Sequence, residues 1–117
     1  MTRVLIVDDQ LAFRRHLRHL LAHAGLTVAG EAGDIPEAEA LVRALQPDLA
    51  VVDVMLPCIN GLEGTPRLKA LAPTLRVILV SAHRDRADAF RTAAEEVGAE
   101  AFVAKDDLDA SVARAWR

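Results

Sequence analysis

Short apolar segments alternate with longer amphipathic segments along the chain. Three of the short segments, Val4–Val7, Leu49–Val52 and Val77–Val80, are continuously apolar. Parallel strands that are covered by helices on both faces have this composition. With two weaker segments added, we predict five strands, and their bounds are Arg3–Val7, Leu26–Ala32, Leu49–Val52, Leu75–Val80 and Ala101–Ala104. The second of these contains a glycine, which weakens a strand interior, so we place it at an edge of the sheet.

The segments between the predicted strands have the periodicity of amphipathic helices. The first helix ends at Gly25 and the fourth at Gly98, because glycine readily takes the conformation that follows a helix. The second helix begins after Asp34, a good capping residue. The fifth begins near Asp107. Strands that alternate with helices predict a doubly wound α/β fold with a parallel sheet and right-handed crossovers.

The third helix is the least regular of the five. It runs to about Leu71 but carries Gly64 and Pro66 near its start. A proline in a helix interior costs about 3 kcal/mol, because it removes a hydrogen bond and clashes with the preceding turn. We therefore expect this helix to start late or to bend.

Four of the predicted strands are followed by polar residues at their carboxyl ends. These residues are Asp8 and Asp9, then Asp53, Ser81 and Lys105. In a parallel sheet the carboxyl ends of the strands lie along one edge, and ligands bind outside that edge. Residues that are far apart in the sequence are therefore expected to meet in one pocket.

Three carboxylates at one edge of a sheet repel each other. At an effective dielectric constant near 20, two charges about 4 Å apart interact by roughly 4 kcal/mol, which one lysine cannot offset for the whole group. A bound cation is the natural remedy, and a hard oxygen cluster that is open to water suits Mg²⁺. An aspartate can also act as a nucleophile and form an aspartyl phosphate. Lys105 and the Ser81 hydroxyl would then interact with the phosphoryl oxygens.

Composition limits the alternatives. The chain has 117 residues, which fits one domain, and its net charge of −3 with scattered Lys and Arg gives no nucleic-acid footprint. The single cysteine, Cys58, excludes an internal disulfide framework and fits a reducing compartment. No apolar run is long enough for a membrane span and no signal peptide is visible, so we expect a cytoplasmic protein.

Taken together, the motifs resemble the response-regulator receiver (CheY-like) domains of two-component signalling. The resemblance covers essentially the whole chain and rests on five motifs in order. They are Val7-Asp8-Asp9-Gln10, Asp53-Val-Met-Leu-Pro57, Asn60-Gly61, Ser81-Ala82-His83 and Gly98-Ala99…Phe102-Val-Ala-Lys105. The fold that this resemblance implies is a flavodoxin-like doubly wound (βα)₅ three-layer sandwich, with a five-stranded parallel sheet in the order 2-1-3-4-5.

The resemblance also implies a role for each site residue. Asp53 is similar to the phosphoacceptor, and Asp9 and Asp53 resemble direct Mg²⁺ ligands. Asp8 is expected to bind the metal through water, and the backbone carbonyl of Met55 to complete the set of protein ligands. Lys105 looks like the lysine that pairs with the phosphoryl group. Two further residues are implied to act as the switch, namely the hydroxyl of Ser81 and the aromatic ring of Phe102.

The same resemblance implies partners. Such a domain receives its phosphoryl group from a sensor histidine kinase, catalyses its own phosphorylation and dephosphorylation, and turns over no substrate. Residues of the first helix together with Lys105-Asp106 resemble the subgroup of LuxR/NarL-type regulators, which carry a C-terminal helix-turn-helix. On this basis residues 1–117 would form the receiver domain alone, able to form a homodimer on activation, and DNA would be bound only through an output domain that this chain does not contain.

Two other functions compete with this interpretation. A Mg²⁺-dependent phosphohydrolase resembling the haloacid-dehalogenase group would need a second aspartate two residues after Asp53, where this chain has Met55. An interaction module could retain the fold and act without phosphorylation, although the complete set of site residues argues against it.

Several residues also have simpler interpretations. Asp8 and Asp9 could cap the first helix, as aspartate often does. His16, His19 and His23 form a stripe on that helix, which is more typical of a solvated flank than of a metal site. We expect Cys58 to be an unreactive loop thiol and Trp116 to pack against the protein.

Overall fold

The computed structural model describes residues 1–117 and contains one parallel sheet of five strands. The strands are β1 (Arg3–Val7), β2 (Thr27–Ala32), β3 (Leu49–Asp53), β4 (Arg76–Ser81) and β5 (Ala101–Ala104). Their spatial order is β2-β1-β3-β4-β5, and all four neighbouring pairs are parallel. The predicted strand order is thereby confirmed, and β2 lies at an edge as expected.

A helix follows each strand. The helices are α1 (Leu11–His23), α2 (Ile35–Leu45), α3 (Gly61–Leu71), α4 (Ala87–Glu96) and α5 (Ala110–Arg114). A short 3₁₀ helix, Arg84–Arg86, precedes α4, and a second one, Lys105–Asp107, follows β5. None of the helices is long and apolar enough to cross a membrane.

The strands β1, β3 and β4 are buried on both faces because helices pack on both sides of the sheet. Successive side chains of a strand point to opposite faces. In β1, for example, Leu5 and Val7 belong to a core cluster of 18 residues with α2, α3 and α4, whereas Val4 and Ile6 belong to a cluster of 14 residues with α1 and α5. This arrangement explains why the central strands are apolar at every position.

The predicted ends of the first and fourth helices and the predicted start of the second are confirmed. Gly25 and Gly98 have φ angles of 83° and 86°, a left-handed conformation that glycine adopts without steric cost. At the start of α2, the Asp34 carboxylate accepts a hydrogen bond of 2.8 Å from the backbone N–H of Glu37. These local signals therefore placed the helix ends correctly.

The predicted start of the fifth helix is wrong, and of the two alternatives for the third helix the late start is wrong. Helix α3 does not start late: it begins at Gly61 and continues through Pro66, because Asn60 caps it by accepting a hydrogen bond from a backbone N–H of the first turn. Helix α5 begins at Ala110 rather than near Asp107. Residues 105–107 form a 3₁₀ turn instead, and the carboxylate of Asp109 caps the helix proper.

Candidate phosphoacceptor site

The sheet register brings the polar strand ends to one edge. Asp53 pairs with Val80 in the neighbouring strand, so it lies one step from Ser81. Ser81 in turn pairs with Ala104, the residue before Lys105. Asp8 and Asp9 directly follow β1, which lies on the other side of β3. The predicted convergence of these residues is therefore present in the structure.

Three aspartates form an acidic cluster at this edge. Asp8, Asp9 and Asp53 each offer a carboxylate oxygen, and these three oxygens lie within 4.8 Å of one another. Asp8 and Asp53 are buried, with 1% and 5% of their surface exposed, whereas Asp9 is exposed. Mg²⁺ binds oxygens at about 2.0–2.1 Å, so ligands on opposite sides of the ion are about 4 Å apart. The cluster fits such an ion with a small closure, or with water completing the contact.

Lys105 is the one lysine in contact with this cluster. Its ammonium nitrogen lies 2.8 Å from Oδ2 of Asp8 and 3.5 Å from Oδ2 of Asp53. The same nitrogen lies over the ring of Phe13, 4.0 Å from the ring centroid. A single cation therefore balances part of the negative charge of two buried carboxylates, and it is closer to Asp8 than to Asp53.

Backbone groups orient both buried carboxylates. The N–H of Gln10 donates to Oδ1 of Asp8 at 2.8 Å, and the N–H of Met55 donates to Oδ1 of Asp53 at 3.1 Å. Gly61 packs against the backbone of Asp53 so closely that a Cβ atom there would lie 2.3 Å from the Asp53 carbonyl oxygen. Only glycine fits this position, and the start of α3 thereby supports the loop that carries Asp53.

The pKa of Asp53 is raised above its ordinary value. The largest cause is burial, which disfavours the charged carboxylate, and the negative charge of Asp8 acts in the same direction. The positive charge of Lys105 and the hydrogen bond from Met55 oppose this effect without cancelling it. Asp53 is thus a carboxylate whose charge is incompletely compensated by protein groups, which is what a bound cation would correct.

A cavity of about 120 Å³ opens next to Asp53. Seven residues line it, namely Asp9, Gln10, Asp53, Met55, Ala82, His83 and Lys105. Ser81 is not among them: it is fully buried, and its Oγ atom accepts a hydrogen bond of 3.0 Å from the backbone N–H of His83. Asp9, Asp53 and Lys105 therefore face one small polar space, while Ser81 lies just behind it.

Phe102 lies away from this cavity. Its ring is only 6% exposed and packs against the ring of Phe90, with 5.8 Å between the two centroids. The guanidinium carbon of Arg91 lies 5.9 Å from the centroid of the Phe102 ring. The predicted switch aromatic is therefore already in the core in this structure.

Of the interpretations without a functional role, helix capping is wrong and those for the histidines and Trp116 agree with the structure. Capping of α1 by Asp8 or Asp9 is wrong, because the residue at the cap position is Gln10, whose side chain makes no capping hydrogen bond. The three histidines of α1 are exposed and belong to no cluster of metal-ligating side chains, as expected for a solvated flank. Cys58 is an exposed free cysteine, and Trp116 packs in the smaller core cluster.

The contact between Phe13 and Lys105 was not foreseen. Phe13 has the spacing of an apolar residue of α1, and nothing in its sequence position indicates a lysine from the other end of the chain. His83 and Gln10 also line the cavity. Their only signal in the sequence is their place in the motifs. Whether the carbonyl of Met55 binds a metal stays a prediction, although Met55 does line the cavity.

Comparison with known proteins places the chain in a family. The chain matches the response regulator receiver domain over residues 4–115, and it belongs to that family. Receiver domains are the CheY-like regulatory domains of response regulators, so the chain fits two-component signalling. The resemblance drawn from the motifs is confirmed.

Particular relatives make the comparison more specific. Protein CcdB of Bacillus subtilis is 37% identical over 105 residues, which are 90% of this chain and 86% of that protein. The DNA-binding transcriptional activator DevR/DosR of Mycobacterium tuberculosis is 40% identical over 116 residues, which are 98% of this chain but 52% of the activator. The solved receiver domain of the response regulator NarL from the same species superposes with a TM-score of 0.86 and 30% identity, covering 98% of this chain and 91% of that one. The chain thus spans most of one relative and about half of another.

Proposed function

We propose that this receiver domain accepts a phosphoryl group on Asp53 from a histidine kinase, in a reaction that depends on Mg²⁺. The observation that supports this best is the position of Asp53. Its buried carboxylate lines a polar cavity, with Lys105 at 3.5 Å and two more aspartates within reach. A carboxylate that would serve as the nucleophile, a cation and a cluster of hard oxygen ligands are therefore adjacent.

The chemistry follows from these groups. A carboxylate oxygen of Asp53 attacks the phosphorus atom while the bond between phosphorus and the donor's leaving atom breaks, and the leaving atom keeps the electron pair of that bond. Lys105 lies close enough to neutralise part of the charge on the transferred group. Mg²⁺ would be held by Asp9, Asp53 and the Met55 carbonyl, and through water by Asp8, and it would supply further positive charge to the phosphoryl oxygens.

Ser81 would couple the site to the rest of the domain. Its hydroxyl is buried behind the cavity and accepts a hydrogen bond from His83. On phosphorylation the hydroxyl would shift toward Asp53 to donate to a phosphoryl oxygen. The loop between β4 and α4 would shift with it, because the backbone N–H of His83 is hydrogen-bonded to the same oxygen. The phosphoryl group thereby favours a second arrangement of this loop, by no more than the difference in contact energy between the two states.

We propose a smaller movement for Phe102 than the inward switch that the resemblance implies. An inward movement of Phe102 on activation would bury little additional surface, because the ring is already packed against Phe90. We propose that the loop after β4 undergoes most of the change and that Phe102 follows α4 as part of the core. The output surface would consist of α4, β5 and α5.

The partners are proposed on similar grounds. Met55 is an exposed apolar residue that lines the acidic cavity, and Leu11, the chain neighbour of the lining residue Gln10, is exposed as well. Exposed apolar residues near the cavity favour a protein donor such as a sensor histidine kinase. The output surface would favour a homodimer on activation. The match to about half of DevR/DosR supports an attached helix-turn-helix that would bind DNA and control transcription.

A switch without substrate turnover fits the site better than a phosphohydrolase. The position two residues after Asp53 is Met55, and its backbone N–H orients the Asp53 carboxylate. A thioether cannot act as the general acid or base that turnover of phosphate esters would require. The cavity of about 120 Å³ is also small for a substrate beyond the phosphoryl group and its metal.

The direct test is phosphorylation with acetyl phosphate and Mg²⁺, followed by intact mass measurement. We expect one added phosphoryl group on the wild type, none without Mg²⁺ and none on Asp53→Asn. The exposed carboxylate of Asp88 lies outside the site, so Asp88→Asn is the matched control and should be modified like the wild type.

One observation favours a second function, an interaction module that acts without phosphorylation. The buried position of Phe102 leaves the surface of α4 and β5 in one arrangement that a partner could recognise directly. If the wild type takes up no phosphoryl group, and beryllofluoride with Mg²⁺ also leaves its spectra unchanged, the switch is excluded and the interaction module becomes the better explanation.

A further inference from the structure

The ammonium group of Lys105 has neighbours from three different parts of the fold. Asp8 follows β1, Asp53 ends β3, and Phe13 belongs to the first turn of α1. The nitrogen lies 2.8 Å and 3.5 Å from the two carboxylates and 4.0 Å from the centroid of the Phe13 ring. Phe13 is thus the only uncharged side chain among these three contacts.

We propose that Phe13 is a positioning residue, which keeps the ammonium of Lys105 between Asp8 and Asp53 by a cation–π contact. This inference rests on the proposed phosphoryl transfer to Asp53. The aromatic face attracts the cation through its quadrupole, and the attraction is stronger where water is excluded. The Lys105 side chain is 10% exposed, so the contact lies in such an environment.

The type of contact matters because Lys105 has to change partners. In this structure the ammonium is closer to Asp8, whereas neutralising a phosphoryl group on Asp53 requires it to move toward Asp53. A ring face attracts a cation without a single preferred acceptor direction, so the nitrogen can slide across it. A hydrogen-bond acceptor at position 13 would hold the ammonium in one place, and an aliphatic side chain would leave it without attraction on that side.

A role in packing alone is the competing explanation. Phe13 is half-buried and packs against the smaller core cluster, where leucine would serve almost as well. The two explanations differ in how Phe13→Leu and Phe13→Tyr compare. Tyrosine keeps the aromatic face, whereas leucine keeps only the apolar contact.

The first measurement is the rate of phosphoryl uptake from acetyl phosphate at saturating Mg²⁺. We expect Phe13→Leu to be about fivefold slower than the wild type and Phe13→Tyr to restore the rate to within about twofold. Val28→Ala is the matched control, because Val28 packs against the same core cluster away from the site and its loss should leave the rate unchanged.

The second measurement is a double-mutant cycle of unfolding with Lys105→Met, which keeps the length of the side chain and removes its charge. Phe13→Leu should shift the unfolding equilibrium several-fold less in the Lys105→Met background than in the wild type. Val28→Ala should shift it equally in both. The cycle reports the contact itself and does not require phosphorylation.

The outcomes separate the two proposals. A wild type that takes up no phosphoryl group overturns the proposed function, and with it the role of Phe13 in transfer. If the wild type is phosphorylated as expected, three results would overturn this inference alone. They are an unchanged rate for Phe13→Leu, a rate for Phe13→Tyr as slow as that of Phe13→Leu, and additive effects of the Phe13 and Lys105 substitutions on unfolding.

Discussion

Two residues other than glycine have a left-handed backbone conformation, Gln46 with φ of 47° and Cys58 with φ of 66°. Gln46 ends α2, and its side-chain amide donates a hydrogen bond of 3.0 Å to the carbonyl of Val42. Cys58 is an exposed residue of the loop between Asp53 and α3. A side chain in this conformation costs about 1–2 kcal/mol, so Cys58 is a point of backbone strain close to the acidic site.

We therefore expect Cys58→Gly to raise the free energy of unfolding by about 0.5–1 kcal/mol, since relief of strain exceeds the extra entropy that glycine has in the unfolded chain. Chemical denaturation measures the change. Cys58→Ser keeps both the Cβ atom and the strain, and it should leave the stability as it is. An equal gain from serine would mean that the thiol, not the backbone, limits stability.

The raised pKa of Asp53 makes a prediction about pH. Between the ordinary value of 3.8 and the raised value, the folded protein binds more protons at this position than the unfolded chain does. Stability contributed by this group therefore falls as the pH rises through that window, and the full cost is present above it. Asp53→Asn removes the ionisation and should be more stable than the wild type at pH 7.

The measurement is chemical denaturation of both proteins in EDTA from pH 3.5 to pH 7. The stability difference in favour of Asp53→Asn should grow with pH and then stay constant. A difference that shrinks as the pH rises would show that the attraction of Lys105 outweighs the burial of the carboxylate.

At the scale of elements, the separation of α2 and α3 depends on a glycine. A Cβ atom on Gly64 would lie 2.3 Å from Cδ1 and 2.7 Å from Cγ1 of Ile35. Helix α3 tolerates both this glycine and Pro66 because two side chains support its first turns. Asn60 caps the helix, and the Thr65 hydroxyl donates a hydrogen bond of 2.7 Å to the Gly61 carbonyl. The glycine that weakened the helical pattern in the sequence thus permits close packing of two helices.

Gly64→Ala should lower the free energy of unfolding by about 1–3 kcal/mol through overpacking against Ile35, despite the better helix propensity of alanine. Ile35→Ala is destabilising by itself because it leaves a cavity. Combined in one protein, the two substitutions should cost less than the sum of their separate effects, as measured by thermal or chemical denaturation. Additive effects would contradict the close contact.

At the scale of the whole molecule, folding brings the carboxylate of Asp53 to the neighbouring pair Asp8 and Asp9, from which the unfolded chain keeps it apart. A cation that binds this edge stabilises the folded protein by mass action, by about 1.4 kcal/mol at tenfold excess over its dissociation constant. The fold and the metal site are therefore expected to be thermodynamically linked.

Mg²⁺ should accordingly raise the melting temperature of the wild type but not that of Asp9→Asn. Asp9 is the exposed member of the cluster, so its replacement disturbs the fold least. Asp85→Asn, an exposed position in the loop after β4, should keep the full response. If NaCl at equal ionic strength had the same effect as Mg²⁺, screening rather than binding would explain the shift.

The sequence by itself determined which segments form the sheet and which residues meet at its acidic edge. Strands covered on both faces must be apolar at every position, so β1, β3 and β4 could be recognised from their composition alone. A parallel sheet places all carboxyl ends at one edge, so Asp53 and Lys105 could be brought together without coordinates. These are consequences of local composition and topology.

Only the tertiary structure decided the contacts that depend on packing between distant segments. The ring of Phe13 over Lys105, the burial of Phe102 against Phe90 and the place of Ser81 behind the cavity follow from how helices settle on the sheet. The start of α5 also could not be placed from the sequence. A 3₁₀ helix occupies residues 105–107, and α5 begins only after its cap, Asp109. Side-chain periodicity describes which face of an element is buried, but it does not describe which residues of other elements that face will meet.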